Sequence, residues 1–453
     1  MSKRIYLCLA HMSENGIEQK YIQEAFDTNW VVPLGPNVNG FEKDLEDFTT
    51  SLESEKPIEK SEELAKKRVV ALSSGTAAVH LALIACGVGY GDEVIVQSFT
   101  FCASSHPITY LGAKPVFVDS EKDTWNMDPA LLEIAIKDRI AKTGKKPKAI
   151  VPVALYGMPY KIDEIMEIAD RYDIPVIEDA AEGLGSRFQG QVLGTFGKYG
   201  VLSFNGNKMI TTSGGGALIC PDDESWQKVM WYATQARESY PYYQHEAIGY
   251  NYRMSNICAG IGRGQMTIID DHIAHHRYIA QLYKEAFKDI PGIQFHDEIE
   301  GMKSNFWLST ITLDPTLRVK GQENAYKTIV KGAVGGAAGV IHHADSATTD
   351  CQPNDNVEAI RVALDAEGIE SRPLWKPMHK QPVYTRGTVK NEELDSMSNG
   401  TKVICQTSDT SIAYVNGLSE ALFKVGLCLP SGPCVTDEDV QHIINSIKSA
   451  LND

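Results

Sequence analysis

Lys208 ends the stretch Ser203-Phe204-Asn205-Gly206-Asn207-Lys208 and is followed closely by Thr211-Thr212-Ser213-Gly214-Gly215-Gly216. A lysine just past an apolar strand, set among small and polar residues, can lie in a pocket where its amine forms a Schiff base with an aldehyde. The three glycines let the chain turn tightly behind it; by themselves they mark only a turn. Upstream, Val176-Ile177-Glu178-Asp179-Ala180-Ala181-Glu182 delivers acids at the carboxyl end of another apolar strand. Such an acid either caps the next helix or sits beside the pyridine nitrogen of pyridoxal phosphate (PLP). In the second role its charge keeps that nitrogen protonated, so the ring can accept electrons. Further upstream, Ser73-Ser74-Gly75-Thr76-Ala77 stands at a strand-to-helix junction. Unpaired N–H groups at the positive end of a helix dipole suit a phosphate, with Gly75 allowing close approach and Thr76 adding a hydroxyl. The same residues serve equally as a plain helix cap.

The elements that must position these groups are legible as short β-branched runs alternating with helical patterns. Strands are expected at 69–72, 93–96, 115–119, 149–155, 175–178, 201–204 and 217–220. Helices are expected at 77–85, after Asp128-Pro129, and at 162–172, where Ile162, Ile165, Ile168 and Ala169 share a face. Alternation of this kind implies an α/β fold with a mainly parallel sheet covered on both sides, its ligand at the carboxyl ends of the strands. Residues 257–288 read as one long helix leading into a second domain. The boundary is placed at Gln265, giving a large domain over 1–265 and a smaller α+β domain over 266–453. Two polar stretches, 331–358 and 385–412, read as surface loops or insertions, and the charged run 53–67 as a solvated helix or loop.

The chain has 453 residues and a formal net charge of −16. That balance excludes a general nucleic-acid or membrane-surface binder, each of which needs a basic footprint. Nine cysteines, an odd number with no Cys-x-x-Cys pair, suit reduced thiols and a cytoplasmic location. The first residues hold an apolar run too short for a signal peptide, and no stretch is long enough to span a bilayer. His272, His275 and His276 have helical spacing that could hold a metal, but no fourth ligand is evident; a solvated helix face is the simpler reading, and no metal is expected.

Taken together, SSGTAAVHLAL (73–83), QSFTFCASSHPITYLGAKPVFVD (97–119), VIEDAAEGLGS (176–186), SFNGNKMITTSGGGALI (203–219) and GYNYRMSN (249–256) resemble the DegT/DnrJ/StrS family of nucleotide-sugar aminotransferases. The likeness resumes at ESRPLWKPMH (370–379) and LCLPSG (427–432). It implies the type I PLP-dependent transferase fold and PLP as cofactor. By resemblance, Lys208 is the Schiff-base lysine, Asp179 the acid at the pyridine nitrogen, and Phe101 the aromatic stacked on the cofactor ring. Gly75, Thr76 and Ser203 match the phosphate cup. Glu182 stands where many members carry Gln, near the ring hydroxyl. Asn251 matches a residue that reaches the phosphate from the neighbouring subunit, which implies a homodimer with shared sites.

The resemblance also implies amination of C4 of UDP-4-keto-6-deoxy-N-acetylglucosamine, with L-glutamate as donor, toward N-acetylbacillosamine. Asn205, where the general pattern often has His, matches the bacillosamine-type members. Relatives that dehydrate replace the lysine by histidine, and here it is Lys208. The alternatives are a dTDP- or GDP-linked ketosugar, amination at C3, a PLP-dependent dehydratase, or a non-enzymatic regulator. For the substrate, Arg372, Lys376 and His379 lie in the motif that faces the cleft in relatives, and Arg237 and Arg253 are further candidates for anion contacts; each arginine serves equally in a surface or interface salt bridge. Asn29 and Trp30 are expected to line the sugar pocket or to pack.

Overall fold

All seven strands expected between residues 69 and 220 form. They are Arg68–Leu72, Glu93–Gln97, Lys114–Val118, Ile150–Val151, Ile177–Asp179, Tyr199–Ser203 and Gly216–Cys220. The computed structural model describes residues 4–52, 67–326, 351–394 and 400–451. Val70, Val96, Val116, Ile150, Ile177 and Val201 are fully buried, so these strands read as apolar runs without alternation. Glu93–Gln97 pairs in parallel with both Lys114–Val118 and Ile150–Val151, and Ile177–Asp179 in parallel with Tyr199–Ser203. Parallel bridges Ile150↔Val176 and Val153↔Asp179 join the two groups. Gly216–Cys220 is antiparallel to both its neighbours, Arg68–Leu72 and Tyr199–Ser203. The strand expected over 149–155 stops early because the chain turns at Leu155–Gly157, where Tyr156 takes φ 56°.

Helices follow their caps. Ser74 accepts the N–H of Ala77 and opens Gly75–Ala85; Asp128 accepts those of Ala130 and Leu131 and opens Pro129–Thr143. The single helix expected over 257–288 is two, Asn256–Met266 and Ile269–Phe287. Gly262 and Gly264 let the first lie tightly on the helices Ile17–Asp27 and Pro36–Thr49: a Cβ at Gly262 would meet the Phe41 ring at 2.7 Å, and one at Gly264 would meet Glu18 at 2.5 Å. The break follows at Thr267, whose hydroxyl donates back to the Gly264 carbonyl.

Beyond Phe287 a second, antiparallel sheet orders Ile293–Phe295, Ser309–Leu313, Gly426–Leu429 and Arg372–Pro373. It shares a separate core with Ile269–Phe287, Asp355–Ala366 and Asp437–Leu451, including Tyr283, Ile311, Ile360 and Ile443. The stretch expected as a polar insertion over 385–412 instead returns to the first sheet. Ile412–Val415 pairs in parallel with Lys114–Val118 and carries Val403–Thr407 and Lys390–Leu394 outward. Val403 and Cys405 alternate with less buried neighbours, an alternation masked by the polar residues around it, whereas all of Ile412–Val415 is buried. Of the other insertion, 331–350 lies outside the described residues, as does 53–66 of the charged run. Among the described residues no helix is long and apolar enough to cross a membrane.

Candidate active site

Three strand ends converge on one cavity of about 440 Å³, lined among others by Gly75, Thr76, Phe101, Asp179, Ser203 and Lys208. Each is delivered by a local rule. Gly75 and Thr76 open a helix behind a buried strand. Asp179 is the last residue of Ile177–Asp179, and Ser203 the last of Tyr199–Ser203. Lys208 sits in a closed turn: its own N–H donates to the Asn205 carbonyl, Phe204 donates to Gly215, and Thr212 donates to Phe204.

Gly215 and Gly216 serve close approach rather than the turn the sequence suggested, while a Cβ at Gly214 would meet nothing within 4 Å. Positive φ in this segment falls on Ser213, at 71°, while Gly214, Gly215 and Gly216 avoid it. A Cβ at Gly216 would lie 2.4 Å from the Gly75 nitrogen, and one at Gly75 would lie 3.0 Å from Ser203 Cβ. The helix start is therefore pressed against the ends of two strands, leaving a shallow cup of backbone N–H and hydroxyl groups.

Asp179 is buried, and burial pushes its carboxyl up from the ordinary range. Ser104 Oγ donates to Oδ2 at 2.6 Å, the Ala181 N–H donates to Oδ1 at 3.1 Å, and the Lys208 charge adds a third pull toward the ionised form. Glu182 is likewise raised by burial and steadied by Lys208 and by the Tyr156 N–H, which donates at 2.7 Å. Lys208 Nζ lies 3.4 Å from Glu182 Oε1. A half-buried amine contacts the buried Glu182 carboxylate and shares the cavity with the buried Asp179 carboxylate and with Phe101, which is 57% exposed. That donor set fits PLP: a cup of donors for a phosphate, an acid for a ring nitrogen, an aromatic face and an amine.

Four residues of the site were not singled out from sequence. Ser104 orients Asp179; Tyr156 holds Glu182 through its N–H and accepts the Trp375 N–H on its hydroxyl at 2.8 Å. Trp307 and Trp375 both line the cavity. Ser104 and Trp375 lie inside motifs already recognised, whereas nothing local marks Tyr156 or Trp307.

The other expected contacts stand elsewhere in this chain. Asn251 is exposed and bridges to Thr234, outside the cavity lining. Arg237 is exposed and stacks over Tyr243. Arg253 is buried in an ion pair with Glu42 and donates to the Ala71 carbonyl, so its guanidinium is spent on holding a strand end. Arg372 pairs with Glu370 at 2.8 Å. Lys376 is half-buried beside the cavity wall residue Trp375 but does not line the cavity. His379 is 2% exposed and locked between Ser98 Oγ at 2.6 Å and Glu420 Oε1 at 3.2 Å, which leaves neither ring nitrogen for a substrate. Asn29, at φ 59°, and Trp30 are exposed and off the cavity lining.

His272 and His276 are buried rather than solvated, and with His275 they each face a backbone carbonyl, of Met209, Phe306 and Val435. Among the described residues no group of three or more His, Cys, Asp or Glu could hold a metal ion.

The model of the DegT/DnrJ/EryC1/StrS aminotransferase family matches residues 13–331. EpsN of Bacillus subtilis (strain 168) is 41% identical over 444 residues, covering 98% of this chain and 95% of EpsN. The GDP-perosamine synthase of Escherichia coli O157:H7 is 31% identical over 448 residues, covering 99% of each. A DegT DnrJ EryC1 StrS aminotransferase from Brucella abortus superposes with a TM-score of 0.75 at 26% identity, covering 97% of this chain and 96% of that one. The family model spans the whole cavity apart from Trp375, and the relatives run nearly end to end. The chain belongs to the DegT/DnrJ/EryC1/StrS aminotransferase family and is a PLP-dependent sugar aminotransferase.

Proposed function

We propose that this enzyme moves an amino group from L-glutamate to C4 of a nucleotide-linked 4-keto-6-deoxy sugar, with UDP-4-keto-6-deoxy-N-acetylglucosamine as substrate. The observation that carries the reading is that Lys208, Asp179 and the Gly75–Thr76 helix start line one cavity. When bound there, PLP supplies an electron sink that makes a neighbouring C–H bond acidic.

The chain's own residues do the rest. Gly75, Thr76 and Ser203 hold the phosphate end. Asp179, steadied by Ser104, would set its carboxylate against the ring nitrogen. Phe101 would cover one face of the ring. Lys208 Nζ would tether the coenzyme at rest; once free, it would take a proton as an amine, hold it as an ammonium and give it back. One nitrogen can serve both halves of the exchange because both proton movements occur within its reach. Glu182, 3.4 Å away, balances its charge.

Asn251 is exposed and away from its own cavity, which supports a homodimer in which it reaches the phosphate of the neighbouring site. A second reading, a GDP-linked ketosugar, is favoured by one observation. GDP-perosamine synthases match 96–99% of this chain. The UDP-2-acetamido-2-deoxy-3-oxo-D-glucuronate aminotransferase of Pseudomonas aeruginosa matches 57% of it.

The deciding experiment offers UDP-, GDP- and dTDP-linked 4-ketosugars and a UDP-linked 3-ketosugar with glutamate, and identifies the aminated product by mass and NMR. Preference for a GDP- or dTDP-linked sugar, or amination at C3, sinks the UDP-C4 assignment. Separately, Lys208→Ala is expected to abolish turnover and the visible absorbance of the bound coenzyme; normal turnover in that variant sinks the role of Lys208.

A further inference from the structure

Lys208 has a neighbour that the cofactor reading does not use. Its Nζ lies 3.9 Å above the centre of the Trp307 ring and 3.4 Å from Glu182 Oε1. The indole is 2% exposed and tied in place at both ends. Its Nε1 donates at 2.6 Å to the carbonyl of Asn207, the residue just before Lys208. Its backbone N–H donates at 2.8 Å to Asn305 Oδ1. Between them Phe306 adopts φ 46°, a left-handed conformation unfavourable for a bulky side chain and kept only where the surroundings enforce it.

The Asn305 amide also donates to the carbonyls of Glu182 and Leu184, at 3.0 and 2.9 Å. A Cβ at Gly157 would fall 1.8 Å from Asn305 Oδ1, so the packing around this amide is closed. Residues 305–307 thus grip the turn that carries Lys208 and the loop that carries Glu182 together. Cys8 packs against the same amine and indole; burial pushes its thiol up to about 12, so it contributes no charge.

We propose that Trp307 is a positioning residue that docks the Lys208 amine while it is detached from the coenzyme, its ring face and the Glu182 carboxylate together holding the ammonium that the proton transfer creates. A cation over an indole face is attracted by the ring's negative centre, more strongly when water is excluded; a neutral amine is not. The nitrogen is therefore gripped after it has taken the proton and released once it has given the proton up. This inference rests on Lys208 being the coenzyme lysine.

The test uses the full-length holoenzyme after reaction with glutamate alone, when Lys208 is free and the coenzyme remains bound. Its reactivity toward acetic anhydride is followed by mass spectrometry of the Lys208 peptide. In Trp307→Leu, Lys208 is expected to label about ten-fold faster and kcat to fall about ten-fold, with KM for glutamate within about two-fold. Trp307→Phe, which keeps a π face, is expected to restore most of both.

Mono- and difluorotryptophan, incorporated in place of tryptophan, keep the shape while weakening the ring's negative centre. Labelling should rise stepwise with fluorination, which keeps the test intact if the leucine variant fails to fold. Unchanged labelling in Trp307→Leu or across the fluorinated series overturns the proposal. If Lys208→Ala is inactive while labelling stays flat, only the docking role fails; if Lys208→Ala keeps turnover, the coenzyme-lysine reading fails first.

Discussion

Asp179 and Ser104 share a buried hydrogen bond of 2.6 Å, and Thr100 holds the Ser104 hydroxyl from its other side at 2.8 Å. Burial pushes the Asp179 carboxyl up, and these donors and Lys208 oppose that rise. Ser104→Ala is expected to weaken PLP binding and to lower kcat by about ten-fold, the worth of one hydrogen bond to a charged group. Asp179→Asn keeps the shape but removes the charge, and should lower kcat by about a thousand-fold, roughly 4 kcal/mol of barrier. Steady-state kinetics and PLP titration check both. Turnover of Asp179→Asn within two-fold of the parent would remove Asp179 from the chemistry.

Arg253 and Glu42 form a pair whose value lies in not being broken. Glu42 also accepts the Ala71 N–H at 2.8 Å, so the pair ties the helix Pro36–Thr49 to the strand that leads into the Gly75–Thr76 helix start. Burial raises the Glu42 carboxyl and Arg253 opposes that rise. Arg253→Met leaves a buried carboxylate unpaired and should cost about 3–5 kcal/mol in urea unfolding. The double variant Glu42→Leu with Arg253→Met should recover much of that loss. If Arg253→Met instead raises KM for the nucleotide sugar with stability unchanged, Arg253 is a ligand contact after all.

His379 fastens Glu420, near the second sheet, to Ser98 at the end of Glu93–Gln97. Its hydrogen bond is the main reason the Glu420 carboxyl sits at about 2, below its ordinary 4.5; its charge and that of Lys380 add to the effect. A depressed carboxyl favours the folded state above its unfolded value, so this contribution is present above about pH 4.5 and is lost as pH falls toward 2. His379→Gln should lower stability by about 1–2 kcal/mol at neutral pH while KM for the sugar moves less than two-fold. Glu420→Gln should flatten the acid limb of stability below pH 4.5. A KM rise of ten-fold or more in His379→Gln would restore the substrate role first read from the sequence.

What could be read from the chain in advance was local. Asp179, Ser203, Gly75 and Thr76 each sit at the end of an apolar run or at a cap, and Lys208 and Phe101 just beyond strand ends, so chain position alone predicts that they meet. Direction was not legible. Arg253, Arg372 and His379 carry the right charge or ring for a substrate, yet each is turned to a protein partner, and sequence does not encode which way a side chain faces. Trp307 reads as one more core aromatic, because its partner lies a hundred residues earlier in the chain. The strands at 390–407 were hidden by polar composition, since only alternate residues of half-buried strands need be apolar, and the apolar run Ile412–Val415 is only four residues long. The break after Met266 depends on glycines that read equally well as helix weakeners or as close-packing sites.

His276 gives the cleanest pH signature. It is fully buried on Ile269–Phe287, with Nδ1 at 3.1 Å from the Phe306 carbonyl, just before Trp307. Burial lowers its pKa from 6.5 to about 3, so the folded protein keeps the ring neutral where the unfolded chain would protonate it. Below pH 6.5 the unfolded state therefore binds more protons. Stability is full above 6.5 and falls as the pH drops toward 3, by up to about 1.4 kcal/mol per pH unit for this one group. His276→Gln can still donate to Phe306 but cannot titrate. It should be less stable than the parent at pH 8 and lose less on acidification to pH 5, measured by urea unfolding at each pH. Equal losses in the two proteins would mean that His276 takes up its proton without unfolding, and that the floor beneath Trp307 is looser than its packing indicates.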